Sequence, residues 1–150
     1  LPIDAGESRD ANWISNNDIK DSIASSNAKH VLLIVDSCFS GSLMRGSGEN
    51  KSVEKLTQRH LDRLKTKTTR LVITSGGNEY VADGIGEAKN SVFAEPLIRA
   101  LNNNNDVIRS IELFQRVQKY VVENAEQTPN HSAIHGTGHD GGEFLFFPKS

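Results

Sequence analysis

The chain has a single cysteine, Cys38, in 150 residues. It follows Asp36-Ser37 and precedes Phe39-Ser40-Gly41, a sharp small-residue exit from an apolar run. A cysteine attacks a carbonyl carbon as its thiolate. It needs a histidine to shuttle the proton and hydrogen-bond donors for the developing oxyanion. Gly41 permits a tight backbone turn, so that nearby amides can face a carbonyl oxygen. On position alone, the commoner role of such a cysteine is that of a small buried hydrophobe.

The element that must position Cys38 is the run Val31-Leu32-Leu33-Ile34-Val35, continuous, apolar and rich in β-branched residues. It reads as a buried parallel strand. In open α/β sheets, ligands bind outside the carboxyl ends of the strands. Cys38 falls just past that end, held at the sheet edge and facing a cleft. Arg70-Leu71-Val72-Ile73-Thr74-Ser75 is a second strand, stopped by Gly76-Gly77, and Glu143-Phe144-Leu145-Phe146-Phe147 a last one, ended by Pro148.

Between the strands lie helical patterns. Residues 13–26 place Ile19 and Ile23 on one face, with Asn17 as candidate cap. Residues 45–52 are a polar, glycine-bearing loop, followed by a helix with Val53, Leu56, Leu61 and Leu64 inward. Ser91 caps a helix carrying Phe93, Leu97, Ile98 and Leu101, in which Pro96 predicts a kink or a later start. Ser110 caps a stronger helix with Ile111, Phe114, Val117 and Val121 on one stripe. Asn102 to Asn105 reads as a solvated loop. Strands alternating with helices predict an α/β fold with a largely parallel sheet.

Bulk properties exclude other classes. The net charge of −2, from 17 basic and 19 acidic side chains, leaves no nucleic-acid footprint. No apolar run approaches a membrane span. Leu1-Pro2-Ile3-Asp4 has no signal-like character. A lone cysteine forms no internal disulfide, which favours a cytoplasmic location. No His/Cys pair has zinc spacing, and no metal motif is present.

The segment from His30 through Asp36-Ser37-Cys38 to Phe39-Ser40-Gly41 resembles the nucleophile strand of caspase-like cysteine peptidases, especially bacterial members and metacaspases. Arg70 to Gly77, then Asn78-Glu79-Tyr80-Val81-Ala82-Asp83-Gly84 and Ser91-Val92-Phe93-Ala94, is similar to the next strand, its substrate-lining loop and the following helix. His135-Gly136-Thr137-Gly138-His139-Asp140-Gly141-Gly142 and the run to Phe146 are similar to the closing turn and last strand of bacterial members. The resemblance implies a caspase-like α/β/α sandwich with a mostly parallel central sheet. Residues 1–150 would be the portion of one peptidase domain downstream of the catalytic histidine, with the N-terminal strands missing.

Carried over residue by residue, Cys38 is the nucleophile. Asp36 matches a pocket carboxylate that selects Arg or Lys before the scissile bond in metacaspases. A pocket-floor carboxylate pairs well with a guanidinium or ammonium group. The competing role for Asp36 is a strand-end acceptor of hydrogen bonds. Ser75 falls where the substrate-binding strand ends, and Asp83 resembles an acidic loop position that also faces the basic residue. Both residue types beside glycines also serve as turn formers. Gly41 belongs to the oxyanion turn.

The family's general base lies in a His-Gly pair one strand before the cysteine strand. Leu1-Pro2-Ile3-Asp4 resembles the stretch just after it. The base is therefore expected upstream of residue 1, on a missing segment or a companion chain. His30 sits at the far end of the strand from Cys38, His60 in a surface helix and His131 in a loop. His135 and His139 flank a glycine turn and remain weaker alternatives. Arg45, Lys51, Lys55, Arg59, Arg63, Lys65 and Lys67 lie between Ser42 and Thr69. A basic-selective enzyme could cut itself there, although these side chains also suit a solvated face.

No cofactor is expected. Many metacaspases use calcium, but Asp4, Asp10, Asp18 and Asp21 have no calcium-loop spacing, and Arg45 stands where an acidic ligand is expected. Two readings follow from the resemblance. One is a cysteine endopeptidase acting on protein or peptide substrates after Arg or Lys, without nucleic-acid or membrane partners. The other is a catalytically silent caspase-like interaction or regulatory module. A third, independent of it, is an unrelated α/β binding domain whose cysteine is structural.

Overall fold

The computed structural model describes residues 14–37, 57–76 and 90–148. In chain order these form α1 (Asn16–Ser25), β1 (His30–Val35), α2 (Gln58–Thr66), β2 (Thr69–Thr74), α3 (Ala94–Asn102), β3 (Ile108–Arg109), α4 (Ser110–Asn124), β4 (Asn130–Ala133) and β5 (Leu145–Phe146). Helices and strands mix along the chain, and the fold is α/β as expected.

β2 is buried along its whole length, which explains the unbroken apolar run Leu71-Val72-Ile73 at its centre. It pairs in parallel with β1, from His30 opposite Thr69 to Val35 opposite Thr74. On its other side it pairs antiparallel with β4, from Leu71 opposite Ala133 to Thr74 opposite Asn130. The three-stranded sheet therefore holds one parallel and one antiparallel pairing, in the order β1-β2-β4. Asn130–Ala133, with His131 inside it, is thus a strand and not the expected loop. Its polar sequence lacks strand character, and pairing with the buried β2 overrides that propensity.

Alternation along the strands sends side chains to opposite faces. Val31, Leu33, Val35 and Val72 pack with Ile19 and Ile23 of α1 and with Ile134. Leu32 and Ile73 pack on the other side against Phe93, Leu97, Phe114, Val117 and Val121, from α3, α4 and the turn before α3. Full burial of each such side chain contributes about 1.5–3 kcal/mol.

The helix ends refine the expected boundaries. Ser15 rather than Asn17 caps α1, accepting from the Asp18 amide while Asp18 accepts from the Ser15 amide. The Ser15 hydroxyl, which donates to Asp18 Oδ2 at 2.7 Å, and then the Ser15 amide hold the exposed Asp18 carboxyl below the usual carboxylate range. α2 has no fully buried residue, and Leu61 and Leu64 are only half-buried; Val53 and Leu56 lie outside the described residues. α3 starts late, at Ala94, which puts Pro96 in the first turn where no intrahelical donor is needed. Ile98, expected inward, is 44% exposed.

Ser110 is the first residue of α4 rather than its cap. The carboxylate of Glu112 accepts from the Arg109 amide at 2.7 Å and closes that end. Phe114, Val117 and Val121 are buried as expected, and Leu113 joins them. The last strand is shorter than expected and pairs with β3 in a separate antiparallel pair. The turn leading to it crosses the start of β2, where the amides of Asp140 and Gly142 donate to the Thr68 carbonyl. A side chain on Gly142 would come within 2.8 Å of the Lys67 carbonyl and 2.9 Å of the Thr68 carbonyl, so only glycine fits there.

Candidate active site at the strand ends

The parallel register of β1 and β2 brings two of the sequence candidates together. Asp36 and Ser75 each stand one position past the last strand pair, Val35 opposite Thr74. The Ser75 amide donates to the Val35 carbonyl at 2.9 Å, which carries the ladder one step beyond the strands. Both residues thus lie at the carboxyl end of the sheet, where ligands of open α/β folds are bound. Cys38, Gly41 and Asp83 lie outside the described residues. Chain connectivity places Cys38 two residues beyond Asp36.

Asp36 is exposed. Its Oδ2 accepts a hydrogen bond from the Ser91 hydroxyl at 2.5 Å. Ser91 was legible in the sequence only as a helix cap; α3 starts later, with Phe93 at its cap position, and the Ser91 oxygen accepts from the amide of Ala94, the first residue of the helix, at 2.8 Å.

Ser75 is fully buried. Its carbonyl accepts from the Gln127 amide nitrogen at 3.3 Å, while its hydroxyl has no hydrogen-bond partner among the described residues. Such orphaned hydroxyls are uncommon in folded proteins and carry a desolvation cost. Gln127, 2% exposed, was missed at the sequence level. A glutamine between a helix and a strand carries no signal of what it will touch.

The family model for the caspase domain of peptidases matches residues 1–138. The chain belongs to the caspase-domain family. Searches of curated proteins and of solved structures return no significant match. Membership makes this caspase domain a cysteine-peptidase type of hydrolase in general terms, with proteins as the substrate class.

Three of its histidines hold structural positions. The ring nitrogens of His30 lie 2.9 Å from the Thr69 hydroxyl and 3.2 Å from the Lys65 carbonyl, at the start of β1. His139 Nδ1 accepts from the Arg70 amide at 3.1 Å. Arg70 is near the start of β2, and strands rise about 3.3 Å per residue, so this contact is roughly 16 Å along the strand from Ser75. His131 Nε2 lies 2.8 Å from the Ser110 hydroxyl, and its ring packs 5.6 Å from Phe114. His135 is exposed and follows Ile134, whose amide donates to the Arg70 carbonyl, again at the start of β2.

A cavity of about 280 Å³ lies between α1 and β1, lined by Ile14, Ile19, Ile23, Val31 and Leu33. Its wall is mostly apolar, with Asp18 and Ser22 also on it, and includes neither Asp36 nor Ser75. Among the described residues, no group of three or more His, Cys, Asp or Glu side chains converges on a point. Asp18 and Asp21 both belong to α1, while Asp4 and Asp10 lie outside the described residues. No described helix is long and apolar enough to cross a membrane.

Proposed function

We propose that this caspase domain is a cysteine endopeptidase that cuts after Arg or Lys, with Cys38 as nucleophile and Asp36 as the carboxylate that receives the basic side chain. The observation that carries the reading is the placement of an exposed carboxylate, Asp36, beside Ser75 at the carboxyl ends of two parallel strands, two residues before the lone cysteine. An aspartate there pairs with a guanidinium or ammonium group. Ser75 adds a buried hydroxyl with no partner among the described residues, and Asp83, eight positions further along the sequence, a second acid.

In this reading the Cys38 thiolate attacks the carbonyl carbon of the basic residue. Amides of the turn at Gly41 stabilise the oxyanion. The C–N bond breaks and the amine leaves with a proton from an imidazolium, which leaves a thioester on Cys38. Water then attacks the thioester, the imidazole takes its proton, and the carboxylic acid departs with the thiolate restored. The imidazole belongs to a His-bearing segment or companion chain rather than to His30, His131 or His139, whose ring nitrogens already have the partners described above. That same observation supports the second reading, a silent caspase-like module, should no such segment join the domain.

The experiment is peptide cleavage by the full-length protein, comparing Arg, Lys and Asp before the scissile bond, with Cys38→Ala as control. Cleavage after Arg and Lys that vanishes in the variant is the expected result. Cleavage that persists in Cys38→Ala, or that prefers Asp, overturns the reading.

A further inference from the structure

Asp36 is an exposed side chain at the end of a strand. Left to itself, such a carboxylate samples several rotamers, and each bound cation would have to select one of them. Its partner among the described residues is Ser91, which is 55 positions away in sequence. The Ser91 oxygen receives the Ala94 amide at 2.8 Å, and that amide is one of the orphaned donors at the start of α3. With a lone pair so engaged, the single hydroxyl hydrogen is directed to Asp36, which as a carboxylate only accepts.

The backbone around Ser91 is equally constrained. Its carbonyl accepts from the Glu95 amide at 3.1 Å. The Asn90 side chain donates to Glu95 Oε2 at 3.0 Å. The next two residues, Val92 and Phe93, are 3% and 1% exposed and anchor the turn in the core. A donor held by a helix end and a packed core is thus aimed at one oxygen of the carboxylate at the strand end.

We propose that Ser91 is a positioning residue for substrate specificity: its hydroxyl fixes the Asp36 carboxylate in the orientation that receives an arginine or lysine side chain. The inference rests on the proposed role of Asp36. It adds that α3, through one hydroxyl, is part of the specificity pocket, so that the pocket is assembled from β1, β2 and the start of α3. Preorganising the carboxylate lowers the cost of binding a basic side chain and leaves the bond-breaking step untouched.

The test uses the full-length protein and matched peptides with arginine or its neutral isostere citrulline before the scissile bond. Ser91→Ala should raise KM for the arginine peptide about tenfold, as expected for loss of a hydrogen bond to a charged group. Its kcat and its KM for citrulline should stay as they are. Ser91→Thr should restore the arginine KM. Ser91→Asp retains an acceptor for the Ala94 amide but sets a second carboxylate against Asp36, and should raise KM further while the protein stays folded. In the Asp36→Asn background, Ser91→Ala should change nothing more, because the two residues act through one contact. An unchanged arginine KM in Ser91→Ala and Ser91→Asp overturns the role of Ser91 while leaving Asp36 in place. If the wild type cleaves arginine and citrulline peptides equally, or Asp36→Asn keeps the arginine preference, the role of Asp36 fails and that of Ser91 with it.

Discussion

The Ser110 hydroxyl donates to Glu143 Oε1 across the start of α4. The same carboxylate oxygen accepts from the Phe144 amide at 3.0 Å. His131 Nε2, 2.8 Å from the Ser110 oxygen, completes a chain linking β4, α4 and the approach to β5. Because the Ser110 hydrogen goes to the carboxylate, the imidazole nitrogen is the donor to Ser110. A serine that reads as a helix cap is instead the hub that fastens the short β3–β5 pair to the main sheet.

Burial pushes the Glu143 carboxyl above its ordinary range, against the Ser110 and Phe144 hydrogen bonds and the Arg109 charge, with Glu112 adding to the rise. A carboxyl raised in the folded state binds protons more tightly there than in the unfolded chain. Stability from this group is therefore highest below the ordinary glutamate pKa and falls as pH rises through the folded value. Glu143→Gln keeps a carbonyl oxygen for both donors and removes the buried charge. It should be more stable than the wild type at pH 7, with the difference closing near pH 4. Denaturant titrations at the two pH values would decide it. A variant destabilised at pH 7 alone would mean that the charge itself is needed, and one equally destabilised at both that the amide group disturbs the site whatever the charge.

Arg70 is 5% exposed and reaches three backbone carbonyls: Lys29 at 3.1 Å and Thr69 at 2.8 Å through one nitrogen, and Ser26 at 3.2 Å through the other. Ser26 is the residue that closes α1, so the cation also meets the negative end of a helix. Arg70→Met should cost roughly 2–4 kcal/mol, since bonds from a charged donor are the stronger kind and three carbonyls lose one, of which Lys29 keeps the Thr69 amide at 3.0 Å. Arg70→Lys should recover less than half of that, because one ammonium cannot span two helix and strand ends. Equal stability of the Met variant and the wild type would show that water replaces the guanidinium at no cost.

What was legible in the sequence follows from what each element buries. Leu71–Ile73 is buried on both sides and so is written as an apolar run, whereas Val31–Val35, expected to be buried, is only half-buried at the edge of the described sheet, with Ile34 37% exposed. The α4 stripe is legible because Phe114, Val117 and Val121 share one buried face. β3 is two residues long and has no period to detect. β4 contains Asn130, His131 and Ser132, and owes its strand character to β2 rather than to its own side chains. At the site, Asp36 and Ser75 could be chosen from the family pattern, and the parallel register then sets them side by side. The bond from Ser91 to Asp36 was invisible, because Ser91 carries a local signal for capping and none for a partner across the fold.

His139 was an alternative general base in the sequence, and its contact with the Arg70 amide gives it a different task. His139→Ala should lower stability by about 1 kcal/mol, the usual net worth of one hydrogen bond, and leave peptide cleavage by the full-length protein intact. His139→Asn offers an acceptor oxygen close to the position of Nδ1 and should recover part of the loss. A hundredfold fall in kcat with unchanged stability would return His139 to the role of base.

Ser75 sets stability against function in one side chain. Its hydroxyl is buried without a hydrogen-bond partner among the described residues, and leaving such a group unsatisfied costs about 1–3 kcal/mol. Deleting it with Ser75→Ala removes that cost with the loss of a single atom, and the small space left behind costs less than a methylene would. The variant should therefore unfold at higher denaturant, with a gain of about 1 kcal/mol. If the hydroxyl contributes to the specificity pocket, the same variant should cleave Arg and Lys peptides with a higher KM, as is common where sites retain destabilising groups. Greater stability with unchanged KM would make Ser75 a structural residue and leave Asp36 to receive the basic side chain without it. Lower stability would mean that the hydroxyl is hydrogen-bonded in solution, and that the strand ends are held together by a contact beyond the Ser75 amide and Val35 carbonyl.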